Sequence, residues 1–134
     1  MKILSELKKS IAKSTEINDV IDAIEKVCTT NIKGIIEDGY RFESYMSGSE
    51  LHLGLCIEYS TKKTGEEYLQ IYVDLTYAIK DSNIEFSQNY DLFTGDDDFN
   101  VHQFIKYIKN SEEYKYIIEN KLKPINCSCG INET

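Results

Sequence analysis

Residues 51–59 read LHLGLCIEY and residues 69–79 read LQIYVDLTYAI. In both runs an apolar side chain stands at every second position: Leu51, Leu53, Leu55, Ile57 and Tyr59, then Leu69, Ile71, Val73, Leu75, Tyr77 and Ile79. A period of two is the signature of a strand with one buried face, and two such runs in succession predict a β-hairpin. Lys63-Thr64-Gly65 between them suits a three-residue loop with glycine at the left-handed position. That loop dictates a register, with Leu55 opposite Val73, Ile57 opposite Ile71, His52 opposite Thr76 and Lys62 opposite Glu66. Every apolar residue of both strands then shares one face, which a slip of one residue would scatter.

On the N-terminal side of this hairpin, Ser47-Gly48-Ser49 predicts a turn and Asp38-Gly39 carries the type I′ hairpin signal. Two short strands are therefore expected, over 32–37 and 40–46. Upstream, Ile17, Val20, Ile21, Ile24, Val27 and Cys28 recur at helical spacing behind a cap at Ser14 or Thr15. Residues 2–13 predict a shorter helix with Ile3, Leu4, Leu7 and Ile11 on one stripe.

On the C-terminal side, Ile84, Phe86 and Tyr90 alternate with Glu85, Ser87 and Asn89, which predicts a third strand of the meander. Asp91 to Asp98 is a loop, and Asp98 or Asn100 caps a helix carrying Val101, Phe104, Ile105 and Ile108. Ser111-Glu112-Glu113 opens a last helix with Tyr114, Ile117, Ile118 and Leu122 inward, and Pro124 stops it. The expected fold class is α+β: two N-terminal helices, a central antiparallel meander of three to five strands, and two C-terminal helices, all packed on one sheet face. No repeat or linker interrupts the chain. Residues 1–124 are expected to form one domain and residues 125–134 a tail.

Composition bounds the function. The 134 residues are 41% apolar and 28% charged, as in a soluble globular domain large enough to bury a core. No apolar run approaches the roughly 20 residues that cross a membrane, and Met1-Lys2-Ile3-Leu4-Ser5-Glu6 meets charge too early for a signal peptide. A cytoplasmic protein is expected. One arginine beside many Lys, Ile, Asn and Tyr matches the usage of AT-rich bacterial or phage genomes. The net charge of −8 is concentrated: residues 31–100 carry fourteen acids against four Lys and Arg41, while residues 1–30 are neutral and residues 101–134 are net +1. An acidic middle segment repels nucleic acid and anionic membrane and favours a basic partner.

Catalytic and metal motifs fail on spacing. Counted as an EF-hand from Asp91, the loop has glycine fifth rather than sixth and His102 where the bidentate glutamate belongs. His52 and Cys56 lie four residues apart along a strand, roughly 13 Å, too far for a thiol–imidazole pair. His102 follows Asp98 by four residues, the spacing of a surface contact. Cys127-Ser128-Cys129 lacks the Cys-x-x-Cys zinc spacing, and Cys28 belongs to a helix stripe. Neither an enzyme, a cofactor nor a metal is expected.

What remains is the second face of the sheet, with His52, Glu58, Tyr68, Gln70, Tyr72, Asp74, Thr76, Glu85, Ser87 and Asn89. Acids interleaved with tyrosines suit a basic protein surface. The partner-binding residues expected are Glu58, Tyr68, Tyr72, Asp74 and Glu85, with Asp96, Asp97 and Asp98 in the loop. The function expected is that of a non-enzymatic acidic inhibitor masking a basic partner such as a nuclease or toxin, of the toxin-immunity or phage anti-defence type. Two other classes stand beside it: a small enzyme or ligand binder, which needs a pocket, and an assembly component that oligomerises through a strand edge.

Overall fold

The computed structural model describes residues 9–11, 16–30, 35–61, 68–81, 83–86, 89–94 and 101–133. Residues 9–11 are helical, and helix α1 spans Ile17–Thr30. Strands β1 (Ile35–Ser47), β2 (Glu50–Thr61), β3 (Tyr68–Ala78) and β4 (Asn89–Thr94) follow. Helices α2 (Val101–Lys109) and α3 (Glu112–Glu119) and strand β5 (Asn126–Glu133) complete the order. The strands form one antiparallel sheet in the order β4-β1-β2-β3-β5. The fold is α+β, as the patterning predicts.

The central pairing is the one the alternation dictates. Leu55 lies opposite Val73, Ile57 opposite Ile71 and His52 opposite Thr76; the Lys62–Glu66 pair lies outside the described residues. Gly48 turns β1 into β2 with φ +61 while Ser49 keeps a negative φ, so this two-residue loop is of the II′ kind, which needs glycine first.

Three expectations are corrected. Asp38-Gly39 is not a hairpin: β1 runs unbroken from Ile35 to Ser47, and one extra residue between Glu37 and Gly39 makes a bulge against β2. A turn there would have ended β1 halfway along β2. The stretch 84–86 is not the next strand of the meander; Phe86 instead meets Tyr116 of α3 edge to face at 5.4 Å. The strand that follows, β4, pairs with the far edge of β1 and not with β3. Finally, residues 126–133 are no tail. They form β5, paired with β3 from Asn126 opposite Thr76 to Glu133 opposite Leu69.

The helices cover one face. Phe104 packs on Tyr40 with ring centroids 5.0 Å apart, and Tyr107 meets Phe42 edge-on at 5.8 Å. Ile17, Val20, Ile21 and Ile24 of α1 join the same buried cluster as Leu53, Leu55, Val73 and Leu75. Both helical groups therefore sit on the side carrying the odd-numbered residues of β2 and β3. The caps expected at Ser14 or Thr15 and at Asp98 or Asn100 lie outside the described residues, as does most of 2–13.

Polar contacts set the helix positions. Ser111 caps α3, its Oγ accepting from the Tyr114 N–H at 3.2 Å while donating to the Ile108 carbonyl at 2.6 Å, so one hydroxyl joins the end of α2 to the start of α3. Glu113, fully buried, accepts from Ser44 Oγ at 3.0 Å. Tyr114 donates to Asn18 at 2.7 Å and ties α3 to α1. Helix α3 ends at Glu119, ahead of Pro124: Leu122 N–H bonds the Ile117 carbonyl and Lys121 N–H the Ile118 carbonyl, with Lys121 at φ 51. That is a Schellman ending with lysine where glycine is favoured.

Val73→Asp puts an unpaired charge at a fully buried position and is expected to leave the chain unfolded by circular dichroism, whereas Ala78→Asp, exposed on the same strand, melts within a few degrees of wild type. Leu55→Ala is expected to cost about 2–5 kcal/mol in denaturant titrations. Lys121→Gly should add up to about 1 kcal/mol by relieving the left-handed lysine.

Candidate functional site: the uncovered sheet face

With the helices on one side, the other side of the sheet presents rows of residues set by the pairing. Arg41, Cys56, Tyr72 and Gly130 form one row across β1, β2, β3 and β5. Glu43, Gly54, Asp74 and Ser128 form the next, and Tyr45, His52, Thr76 and Asn126 the one after. Glu58 and Gln70 lie on the far side of the first row. Directly opposite residues share a face, so these side chains project together.

In the middle row glycine stands between two carboxylates. A Cβ on Gly54 would fall 2.8 Å from Glu43 Cγ and 2.9 Å from Glu43 Oε1, so the Glu43 side chain lies across Gly54. Asp74, on the other side of Gly54, accepts a hydrogen bond from the Tyr72 hydroxyl. Gln70 donates to Glu58 at 3.2 Å. Arg41 contributes the positive charge within this group. Glu43, Glu58 and Asp74 outnumber it three to one, so the patch is acidic.

Cys56 is 1% exposed, and burial pushes its thiol up, so it is the opposite of an activated nucleophile. Tyr72 is pushed up to about 12, first by partial burial, then by the bond to Asp74 and the neighbouring carboxylates.

The third row is a stack. Tyr45 and His52 lie face to face, centroids 4.7 Å apart and planes 5° from parallel. His52 Nδ1 is 3.3 Å from Thr76 Oγ1, and Nε2 is 3.3 Å from Glu50 Oε2. The neutral tautomer with the proton on Nε2 satisfies both, donating to Glu50 and accepting from Thr76. Carboxylate, imidazole and hydroxyl in sequence resemble a nucleophile relay, but Thr76 is only 8% exposed. Its strand's backbone N–H groups face ladder partners rather than a reacting oxyanion. The relay's effect is to hold the imidazole flat, which fixes Tyr45, 48% exposed, as a rigid aromatic platform.

Of the residues expected from sequence, Glu58, Tyr72 and Asp74 come together on this face. Tyr68 enters β3 opposite Ser60, its side chain outside the description. Glu85 is exposed in the irregular stretch 83–86 and belongs to no strand. Asp96, Asp97 and Asp98 lie outside the described residues. Arg41, Glu43 and Tyr45 were missed. Their alternation with Tyr40, Phe42 and Ser44 was available as a signal, masked by reading Asp38-Gly39 as a turn. His102, expected near Asp98, lies 3.5 Å from Glu25 of α1.

Among the described residues no group of three or more His, Cys, Asp or Glu is placed to hold a metal ion, and no helix is long and apolar enough to cross a membrane. A cleft of about 360 Å³ opens elsewhere, at the end of the β1–β2 turn, lined by Met46, Gly48, Ser49, Ile79, Lys80, Asp81 and Ile84. It carries no converging set of catalytic groups. No protein-family model, no curated protein and no solved structure matches the chain.

Two outcomes test this geometry. Because the folded phenol of Tyr72 titrates above its ordinary value of 10.0, its contribution to stability is complete below that value and lost as pH rises toward about 12; Tyr72→Phe is expected to flatten that part of the alkaline stability curve. Gly54→Ala should be better tolerated when Glu43 is also Ala than when it is not, and strictly additive melting shifts in this double-mutant cycle would contradict the overlap.

Proposed function

We propose that the protein is a non-enzymatic binder whose uncovered sheet face masks a basic surface on another protein, in the manner of an inhibitor or antidote. The observation that carries this reading is the middle row: the Glu43 side chain lies across Gly54 and Asp74 stands on the other side of that glycine, which brings two carboxylates together on the uncovered face. An arginine or lysine of a partner can pair with both carboxylates at once. Tyr45 and Tyr72 flank the row on a rigid sheet, and aromatic anchors of this kind dominate binding energy at interfaces. The acidic middle segment adds long-range attraction. A basic nuclease or toxin is the class of partner proposed, with no direct nucleic-acid or membrane contact, in a cytoplasmic setting.

The experiment begins with the full chain as bait in cells of the source organism, followed by binding kinetics against the captured basic protein at two salt concentrations. Exposed charges are screened beyond about 8 Å at physiological ionic strength. Glu58→Gln, and neutralisation of Asp96, Asp97 and Asp98, are therefore expected to slow association at low salt and matter little at high salt. Tyr45→Ala or Tyr72→Ala should speed dissociation by about tenfold or more, equivalent to about 1.4 kcal/mol. Unchanged rates in all of these folded variants would place the interface on another surface.

A further inference from the structure

We propose that the outer edge of β5 is a docking site for a second copy of this chain, strand against strand and antiparallel, about a two-fold axis at Ser128. Strand β5 ends the sheet order, with one edge on β3, and among the described residues no strand pairs with its other edge. Edge strands are ordinarily guarded by lysine, proline, an inward charge or a bulge. Strand β5 reads NCSCGINE, with no lysine, arginine or proline, one acid at its last position, and an unbroken register from 126 to 133. This edge is left open in a chain that is 28% charged.

Three further observations favour a second copy as the occupant. A chain of net charge −8 repels itself, but the one charged residue of β5 is Glu133 at its end, so two copies bring little like charge together along this edge. A two-fold axis at Ser128 is self-complementary. It sets Cys127 opposite Cys129 of the second copy, both half-buried on the helix-covered side, and Asn126 opposite Gly130. The same register sets Ile125, 59% exposed just ahead of the strand, opposite position 131, also an isoleucine. The two sheets then continue as one, and both uncovered faces point the same way, so the edge and the partner-binding face are used independently.

The test is the mass of the full chain in reducing buffer by light scattering across a concentration series. About twice the 15.5 kDa of one chain is expected at the top of the series. Ser128→Lys should return the mass to one chain with unchanged circular dichroism: within one chain the lysine faces Asp74 across the β3–β5 pair, whereas two copies would bring two lysines together at the axis. Diamide, which takes two electrons and two protons from a pair of thiols, should link Cys127 of one copy to Cys129 of the other, identified by peptide mass. Should Ser128→Lys misfold, Ser128→Cys in a Cys127→Ser/Cys129→Ser background is the substitute, and it should form a 128–128 disulfide under the same treatment. A single-chain mass throughout, a dimer that survives folded Ser128→Lys, or a diamide link joining Cys127 to Cys127 would each overturn the proposal.

Discussion

A strand sends successive side chains to opposite faces, so a sheet that must keep one face dry has no freedom to slide. That constraint is strictest along β2, where Leu51, Leu53, Leu55 and Ile57 are each at most 1% exposed. Tyr40 and Phe42 are placed beside this row through β1, and Ile71, Val73 and Leu75 through β3. Once those pairs are set, the composition of the opposite face follows without further choice. Arg41 must lie beside Cys56 and Tyr72, and Glu43 beside Gly54 and Asp74. The acidic patch is thus held by the same packing that holds the core, which is why it is rigid.

Polar contacts within the helical layer supply what hydrophobic packing leaves undetermined. Apolar helices on an apolar sheet tolerate sliding; a buried carboxylate does not, because losing its partner costs far more than a shifted methyl group. Glu113 on Ser44 fixes where α3 meets β1. The Ser111 hydroxyl then fixes α2 relative to α3, and Tyr114 on Asn18 fixes α1 relative to both. Three hydrogen-bonded side chains thereby orient a layer made almost wholly of Ile, Val and Phe.

How much of this was legible in the sequence depended on how each signal arises. The register of β2 on β3 was legible because long alternation and a short loop leave one solution, and the helices because Ile17, Val20, Ile21 and Ile24 repeat at one period alone. Asp38-Gly39 misled because the same dipeptide serves a tight turn and a bulge, and only pairing along the whole of β2 distinguishes them. Strand β4 was misplaced: the patterning reads residues 91–94 as loop and 84–90 as the next strand of the meander, although adjacency in the chain is not adjacency in the sheet. Strand β5 was missed because Cys127 and Cys129 are weakly apolar and its register is imposed by β3. The site inherited these limits: Glu58, Tyr72 and Asp74 were found on the legible strands, and Arg41, Glu43 and Tyr45 were lost with the strand that was split.

The strand order has a consequence for synthesis. β1, β2 and β3 are contiguous in the chain and pair with one another, so this three-stranded unit is complete as soon as residue 78 has emerged. Both of its borders, however, are closed by strands encoded later: β1 by residues 89–94 and β3 by residues 126–133. Domains form as their residues are made, from the N-terminus onward, and an unpaired border is where a nascent chain recruits its neighbours. Until residues 89–94 and 126–133 have been made, those two borders have no strand to pair with, an exposure set by the order of the chain that the stability of the finished sheet does nothing to shorten.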